Sequence, residues 1–150
     1  MSFSDYFTHK PGGDRVFSVE APKIKFGRGS LQEVGDDAKA LGMSRVAVYT
    51  DPRVGQLEHV SKVVESLKSQ GLDAVVYDQV AVEPTDISFK QGSKFASEGK
   101  FDGFVSVGGG SVMDTCKASN LYSCYPSDFL DYVTHLSARQ FRFRVHSNRT

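Results

Sequence analysis

"FDGFVSVGGGSVMDTCKASN", residues 101–120, decides the fold. An apolar run over 101–107 passes through Gly108, Gly109 and Gly110 into a stretch that reads as a helix over 111–123. Glycine loses more conformational freedom on folding than any other residue, so three together mark a place where bare backbone is needed. Strand, glycine turn and helix form the unit that alternating α/β proteins repeat. Ligands of such sheets bind outside the carboxyl ends of the strands. Free N–H groups and the helix dipole at that edge favour an anion. The three glycines are therefore candidate binding residues for a diphosphate.

The same alternation runs upstream. "RVAVYT" (45–50) is a near-continuous apolar run, as expected of a strand buried on both faces. Residues 56–70 put Leu57, Val60, Val63, Val64 and Leu67 on one helical stripe that stops at Gly71. "DAVVYD" (73–78) reads as a second buried strand, and "VEPTD" (82–86) as a loop. A third helix over 86–98 carries Ile87, Phe89 and Phe95 as its apolar members. Ser30–Leu41 reads as a helix capped by Ser30, closed by an S-x-x-E box with Glu33 and stopped by Gly42. "VFSVEAPKIKFG" alternates around Pro22 as a short hairpin with an edge strand would. The expectation is an α/β fold with a parallel, Rossmann-like sheet and right-handed crossovers.

Each candidate residue also has a purely structural reading. Ser111 and Asp114 make an S-x-x-D capping box. Lys117 can pair with Asp114 at i,i+3, worth a few tenths of a kcal/mol. No G-K-S/T follows the glycines, and their spacing is not G-x-G-x-x-G. A carboxylate at Asp114, in the first turn, would repel a phosphate on the helix axis, so it either caps the helix or faces a neutral part of the ligand. Asp51, just after the first buried strand, could take ribose hydroxyls as the acid of dinucleotide folds does. Asp-Pro is equally a favoured turn starter.

The totals bound the rest. One domain fits in 150 residues. Zero formal net charge argues against nucleic acid or an acidic membrane as main partner. No apolar run reaches the roughly 18 residues of a membrane helix. Beyond Val133 lie Arg139, Arg142, Arg144 and Arg149 and no acid. Cys116 and Cys124, about 12 Å apart along one helix, read as reduced thiols of an intracellular protein. His9, His59, His135 and His146 show no metal-ligand spacing.

"GGGSVMDTCKASNLY" (108–122) followed by "SDFLDYV" (127–133) resembles the iron-containing alcohol dehydrogenases, and among them most nearly the hydroxyacid-oxoacid transhydrogenases. Gly108 to Ser111, Asp114 and Lys117 meet that family's G-G-G-S-x-x-D-x-x-K, and "VEPTD" and "APKIKFGRGSLQEVG" (21–35) are similar as well. The resemblance implies a nucleotide-binding α/β domain followed by an all-helical domain. It implies that Gly109, Gly110 and Ser111 hold the pyrophosphate of NAD(H), that Asp51 holds the adenosine ribose, and that Asp114 lies toward the nicotinamide. Gly108 and Lys117 complete the motif. The implied reaction is hydride transfer through the nicotinamide between 4-hydroxybutyrate and 2-oxoglutarate, with iron or another divalent metal polarising the hydroxyl oxygen. Animal members are mitochondrial; no transit peptide is visible in the opening residues, and a cytoplasmic location is the alternative.

The likeness covers about residues 16–133. Residues 1–15 read as a flexible lead-in and 134–150 as a basic tail outside the family pattern, either of splice or frameshift origin or able to pair as an edge strand or bind an acidic partner. The family's metal ligands, one Asp and three His, lie in the helical domain, which is expected to be absent here, so no catalytic or metal-binding residue is assigned. The chain is thus expected to be inactive alone and to bind dinucleotide weakly, with self-association or association with a full-length enzyme left open. Two other readings stand beside it: a non-catalytic nucleotide-binding or interaction module, and a related alcohol or glycerol dehydrogenase.

Overall fold

In the computed structural model, which describes residues 24–128, the run at 45–50 is the middle of the sheet. Strand β1 (Arg45–Tyr49) pairs in parallel with β2 (Asp73–Tyr77) on one side and β3 (Gly103–Ser106) on the other. Val48 stands opposite Val76 in β2 and Val105 in β3. Helix α1 (Val34–Ala40) precedes β1, α2 (Glu58–Ser69) and α3 (Asp86–Gly99) connect the strands, and α4 (Gly110–Cys124) follows β3.

Side chains alternate across a strand, so β1 feeds two cores. Val46 and Val48 pack with Ala38, Val63, Leu67 and Leu72 beneath α1 and α2. Ala47 and Tyr49 pack with Tyr77, Val80, Val112 and Cys116 beneath α3 and α4, with Phe95, Phe101 and Phe104 alongside. Burial on both faces is why β1 reads as unbroken apolar sequence; each such large side chain contributes about 1.5–3 kcal/mol.

Helices α3 and α4 cross on small residues. A Cβ at Gly92 would lie 2.8 Å from Ser119 Oγ, and the buried members of α3 are Ser88, Gly92, Ser93 and Ala96. The Tyr49 hydroxyl donates to the Gly92 carbonyl at 2.8 Å and ties α3 to the sheet. Burial raises the pKa of that phenol far above its ordinary value.

Several local expectations change. Among the described residues strand β2 is an edge strand, half-exposed along most of its length with Val76 39% accessible, because α3 carries the chain back across β1 instead of onto β2's outer side. Ser30 opens a 3₁₀ turn (Ser30–Glu33), preceded by Gly29 in the left-handed region, and makes no capping bond. Glu33 is instead claimed by Lys25, which bonds both Glu33 and Asp37. Ile87, in the first turn of α3, is exposed, and Leu57 precedes α2 instead of packing within it. Gly42 and Gly71 do terminate helices, at φ 78° and 79°. Most of the hairpin expected over 16–27 lies outside the described residues, as do the boundaries near 15 and 133 and the basic tail; Ile24 to Phe26 are not strand.

Candidate functional site

From β1 the chain moves through α2 to β2 on one side of the sheet, then through α3 to β3 on the other. The direction of winding reverses between β1 and β3, which is where α/β sheets open a crevice at their carboxyl edge. Asp51 follows β1 and the glycine turn follows β3, so the two sequence-predicted groups flank that reversal.

Thr50, which the sequence reading did not single out, ties the edge together. Its N–H donates to Tyr77 O at 2.9 Å, and its hydroxyl donates to Val107 O at 2.9 Å. The Val107 N–H bonds Tyr49 O at 2.8 Å. A fully buried threonine ending a strand, where the hydroxyl must find a partner, was the available signal.

The three glycines do different things. A Cβ on Gly108 would come within 2.5 Å of Val112 Cγ2, so Gly108 is required by packing. A Cβ on Gly109 or Gly110 would meet no atom within 4 Å. Nothing among the described residues demands glycine at those two positions; both are exposed. Gly109 is the N-cap of α4 and supplies no side-chain cap. The first N–H groups of a helix have no partner within it, so this end offers donors to an external acceptor.

The S-x-x-D box is not formed. Helix α4 starts at Gly110, two residues earlier than the box requires, so Ser111 is inside the helix and Asp114 lies beyond its first turn. Four residues at 1.5 Å each put Asp114 about 6 Å along the axis, which removes the conflict with an anion at the helix start. Gly110, Asp114 and Lys117 fall at i, i+4 and i+7, a single stripe, with all three exposed. No ion pair joins Asp114 to Lys117 among the described residues.

Asp51 keeps the turn role and has capacity to spare. Its Oδ1 accepts from the N–H groups of Arg53 at 2.9 Å and Val54 at 3.0 Å, which starts the 3₁₀ turn Val54–Gln56. A carboxylate offers about four lone-pair sites, and the turn uses one oxygen. Beside it lies a groove of about 320 Å³ lined by Asp51, Pro52, Arg53, Val80, Ala81 and Val82.

The rear of α4 is not reactive. Cys116 is buried and free, and burial pushes its thiol up to about 11 against a weaker opposing pull from Lys117. Among the described residues no group of three or more His, Cys, Asp or Glu side chains is placed to hold a metal ion, and His59 is the one histidine in that span. No helix among them is long and apolar enough to cross a membrane.

The chain is 49% identical to hydroxyacid-oxoacid transhydrogenase, mitochondrial, of Bos taurus, over 80% of this chain and 26% of that protein. It therefore spans about a quarter of the length of that curated relative. Among solved structures, NADH-dependent butanol dehydrogenase A of Thermotoga maritima superposes with a TM-score of 0.70 at 30% identity, covering 77% of this chain and 30% of that one. A 1,3-propanediol oxidoreductase superposes with a TM-score of 0.71 at 26% identity, covering 79% and 31%. The pattern of the iron-containing alcohol dehydrogenases matches residues 21–147, past Val133 where the sequence reading ended the likeness. With that match over most of its length, and with the parallel α/β fold behind it, the chain belongs to the iron-containing alcohol dehydrogenase family.

Proposed function

We propose that this chain is the cofactor-binding part of a hydroxyacid-oxoacid transhydrogenase and that its carboxyl edge holds NAD(H). The observation that carries the reading is the open backbone at Gly109 and Gly110, at the uncapped start of a 15-residue helix beside the reversal in winding. There the N–H groups of Gly110 and Ser111 would donate to the diphosphate, helped by the α4 dipole. Asp51 would accept from the adenosine ribose hydroxyls with the carboxylate oxygen that its turn leaves available. Asp114 and Lys117, further along the exposed stripe, would lie toward the nicotinamide half.

Bound there, the nicotinamide would accept hydride from a hydroxyacid such as 4-hydroxybutyrate and pass it to an oxoacid such as 2-oxoglutarate. The residues of this chain would bind and orient the cofactor. The iron or other divalent metal that the family name carries finds no ligand set among the described residues, so metal chemistry is not assigned to them. Taken by themselves, these residues are expected to bind dinucleotide without turnover. The mitochondrial naming of the relatives extends to this chain as a proposed location.

Titrating the full chain with NADH and following nicotinamide fluorescence tests the reading. Saturable binding that Gly109→Val removes is expected; no binding by the unaltered chain contradicts it. One observation favours association as a second property. Val82, Ile87 and Met113 stand 72%, 64% and 45% exposed in the loop and the two helices that flank this edge, apolar surface that a partner could cover. Sedimentation velocity of the chain, alone and with a full-length member of the family, measures it.

A further inference from the structure

Two non-glycine residues among those described have positive φ: Glu83 at 56° and Lys100 at 51°. Lys100 is the C-cap of α3, where the left-handed conformation is ordinary. Glu83 has no such excuse. It sits in the loop between β2 and α3, two residues before the Thr85 N-cap, and Pro84 follows it. A residue before proline is pushed toward extended backbone, and a side chain at positive φ is uncommon. Local sequence therefore opposes the conformation that Glu83 adopts, and such conformations persist where the surroundings impose them.

The surroundings are visible. Upstream, the Val80 N–H bonds Thr50 O at 3.3 Å. Downstream, Thr85 and Ser88 form a reciprocal capping box. Between these anchors the Glu83 N–H donates to Ser111 Oγ at 3.3 Å, across 28 positions of chain. Ser111 is the second residue of α4. A serine hydroxyl is one donor and an acceptor together; with Glu83 occupying it as acceptor, its proton remains for a different partner.

We propose that the Glu83 backbone is a positioning element for the cofactor site, holding the Ser111 hydroxyl so that it donates to an anionic oxygen of the dinucleotide. The inference rests on the reading that the glycine turn binds the diphosphate. It assigns the β2–α3 loop a part in that site: the unfavourable φ of Glu83 directs one N–H at one hydroxyl. The Glu83 side chain itself is not needed, only its N–H and its conformation.

The test is a double-mutant cycle on the full chain, read as the NADH dissociation constant. Ser111→Ala and Glu83→Pro, which deletes the N–H and cannot take positive φ, should each weaken binding about tenfold. The double variant should be no weaker than Ser111→Ala alone. Glu83→Gly, which keeps the N–H and accepts positive φ, should bind like the unaltered chain, and so separates this role from loss of fold. Independently of any ligand, Ser111→Ala should speed hydrogen exchange of the Glu83 amide. Additive losses in the cycle, weakened binding by Glu83→Gly, or unchanged exchange at Glu83 would each overturn the inference and leave the diphosphate reading standing. No NADH binding by the unaltered chain would overturn both.

Discussion

The two edges of one small sheet are built on opposite plans. At the amino edge the chain satisfies itself. Asp102 accepts from the N–H groups of Ser44 and Arg45 at 2.8–3.0 Å. Arg45 bonds the Gly99 carbonyl, pairs with Asp73 and lies over the Phe101 ring. At the carboxyl edge, the N–H and hydroxyl of Thr50 draw the strand ends together, while Gly109 and Gly110 lie open and the Asp51 turn uses only one of its carboxylate oxygens. Polar groups that a chain pairs among themselves hold its fold; polar groups that it organises and leaves turned outward are available to a ligand. The difference separates residues whose loss should affect stability from those whose loss should affect binding.

The largest effect should come from within the glycine run. Gly109→Val should weaken NADH binding by about a hundredfold or more, where each tenfold is 1.4 kcal/mol, with unchanged circular dichroism and melting temperature. Gly108→Val should do the reverse in kind, lowering stability by about 1–3 kcal/mol through overpacking against Val112. Thermal melts and titrations of the two variants break the comparison if both act alike.

Next in size is Asp51→Ala, expected to weaken NADH binding by about 1.5–3 kcal/mol through loss of a charged hydrogen bond. It should also cost stability of about 0.5–1 kcal/mol, as the turn loses its side-chain acceptor. Asp51→Asn sharpens this, because its amide oxygen can still accept from Arg53 and Val54 while the charge is gone. At the opposite edge Asp102→Asn should lower stability by about 1 kcal/mol and leave the NADH dissociation constant unchanged.

The same carboxylate gives the pH dependence. Burial works to raise the Asp102 pKa, but the N–H bonds from Ser44 and Arg45 outweigh it, and its pKa is lowered in the folded chain. Its contribution is therefore present above the unfolded-state value and is lost as pH falls through the folded one. Urea melts across the acid range should show that loss in the unaltered chain and a smaller one in Asp102→Asn. Smallest in consequence, exposed Cys124 should react with iodoacetamide well before Cys116, whose thiol burial pushes up to about 11. Mass spectrometry of a labelling time course reads this directly.

Much of this was legible in the sequence, for identifiable reasons. Strand β1 was legible because burial on both faces leaves an unbroken apolar run, and Gly42 and Gly71 because a left-handed helix end selects glycine. The edge position of β2 was hidden, since order in a sheet is fixed by crossovers and not by the strand's own residues. Ser30 and Ser111 both misled as caps, for the same reason: in each case a glycine ahead of the serine takes the N-cap, one in the left-handed region and one extended. Of the site, Asp51 and the glycine turn were legible as residues, but their juxtaposition across the reversal in winding was not. Thr50 offered only a hydroxyl at the end of an apolar run, and the backbone of Glu83 offered no sign, because what each contributes is a bond to a residue distant in sequence.

The central claim is that the carboxyl edge is a dinucleotide site whose open backbone takes the diphosphate. Isothermal titration of NADH into the full chain, set beside Gly109→Val, tests it most directly. Saturable one-to-one binding by the unaltered chain, lost in a variant that melts at the same temperature, is the predicted result. Equal heats from both chains, or none from the unaltered one, would contradict it.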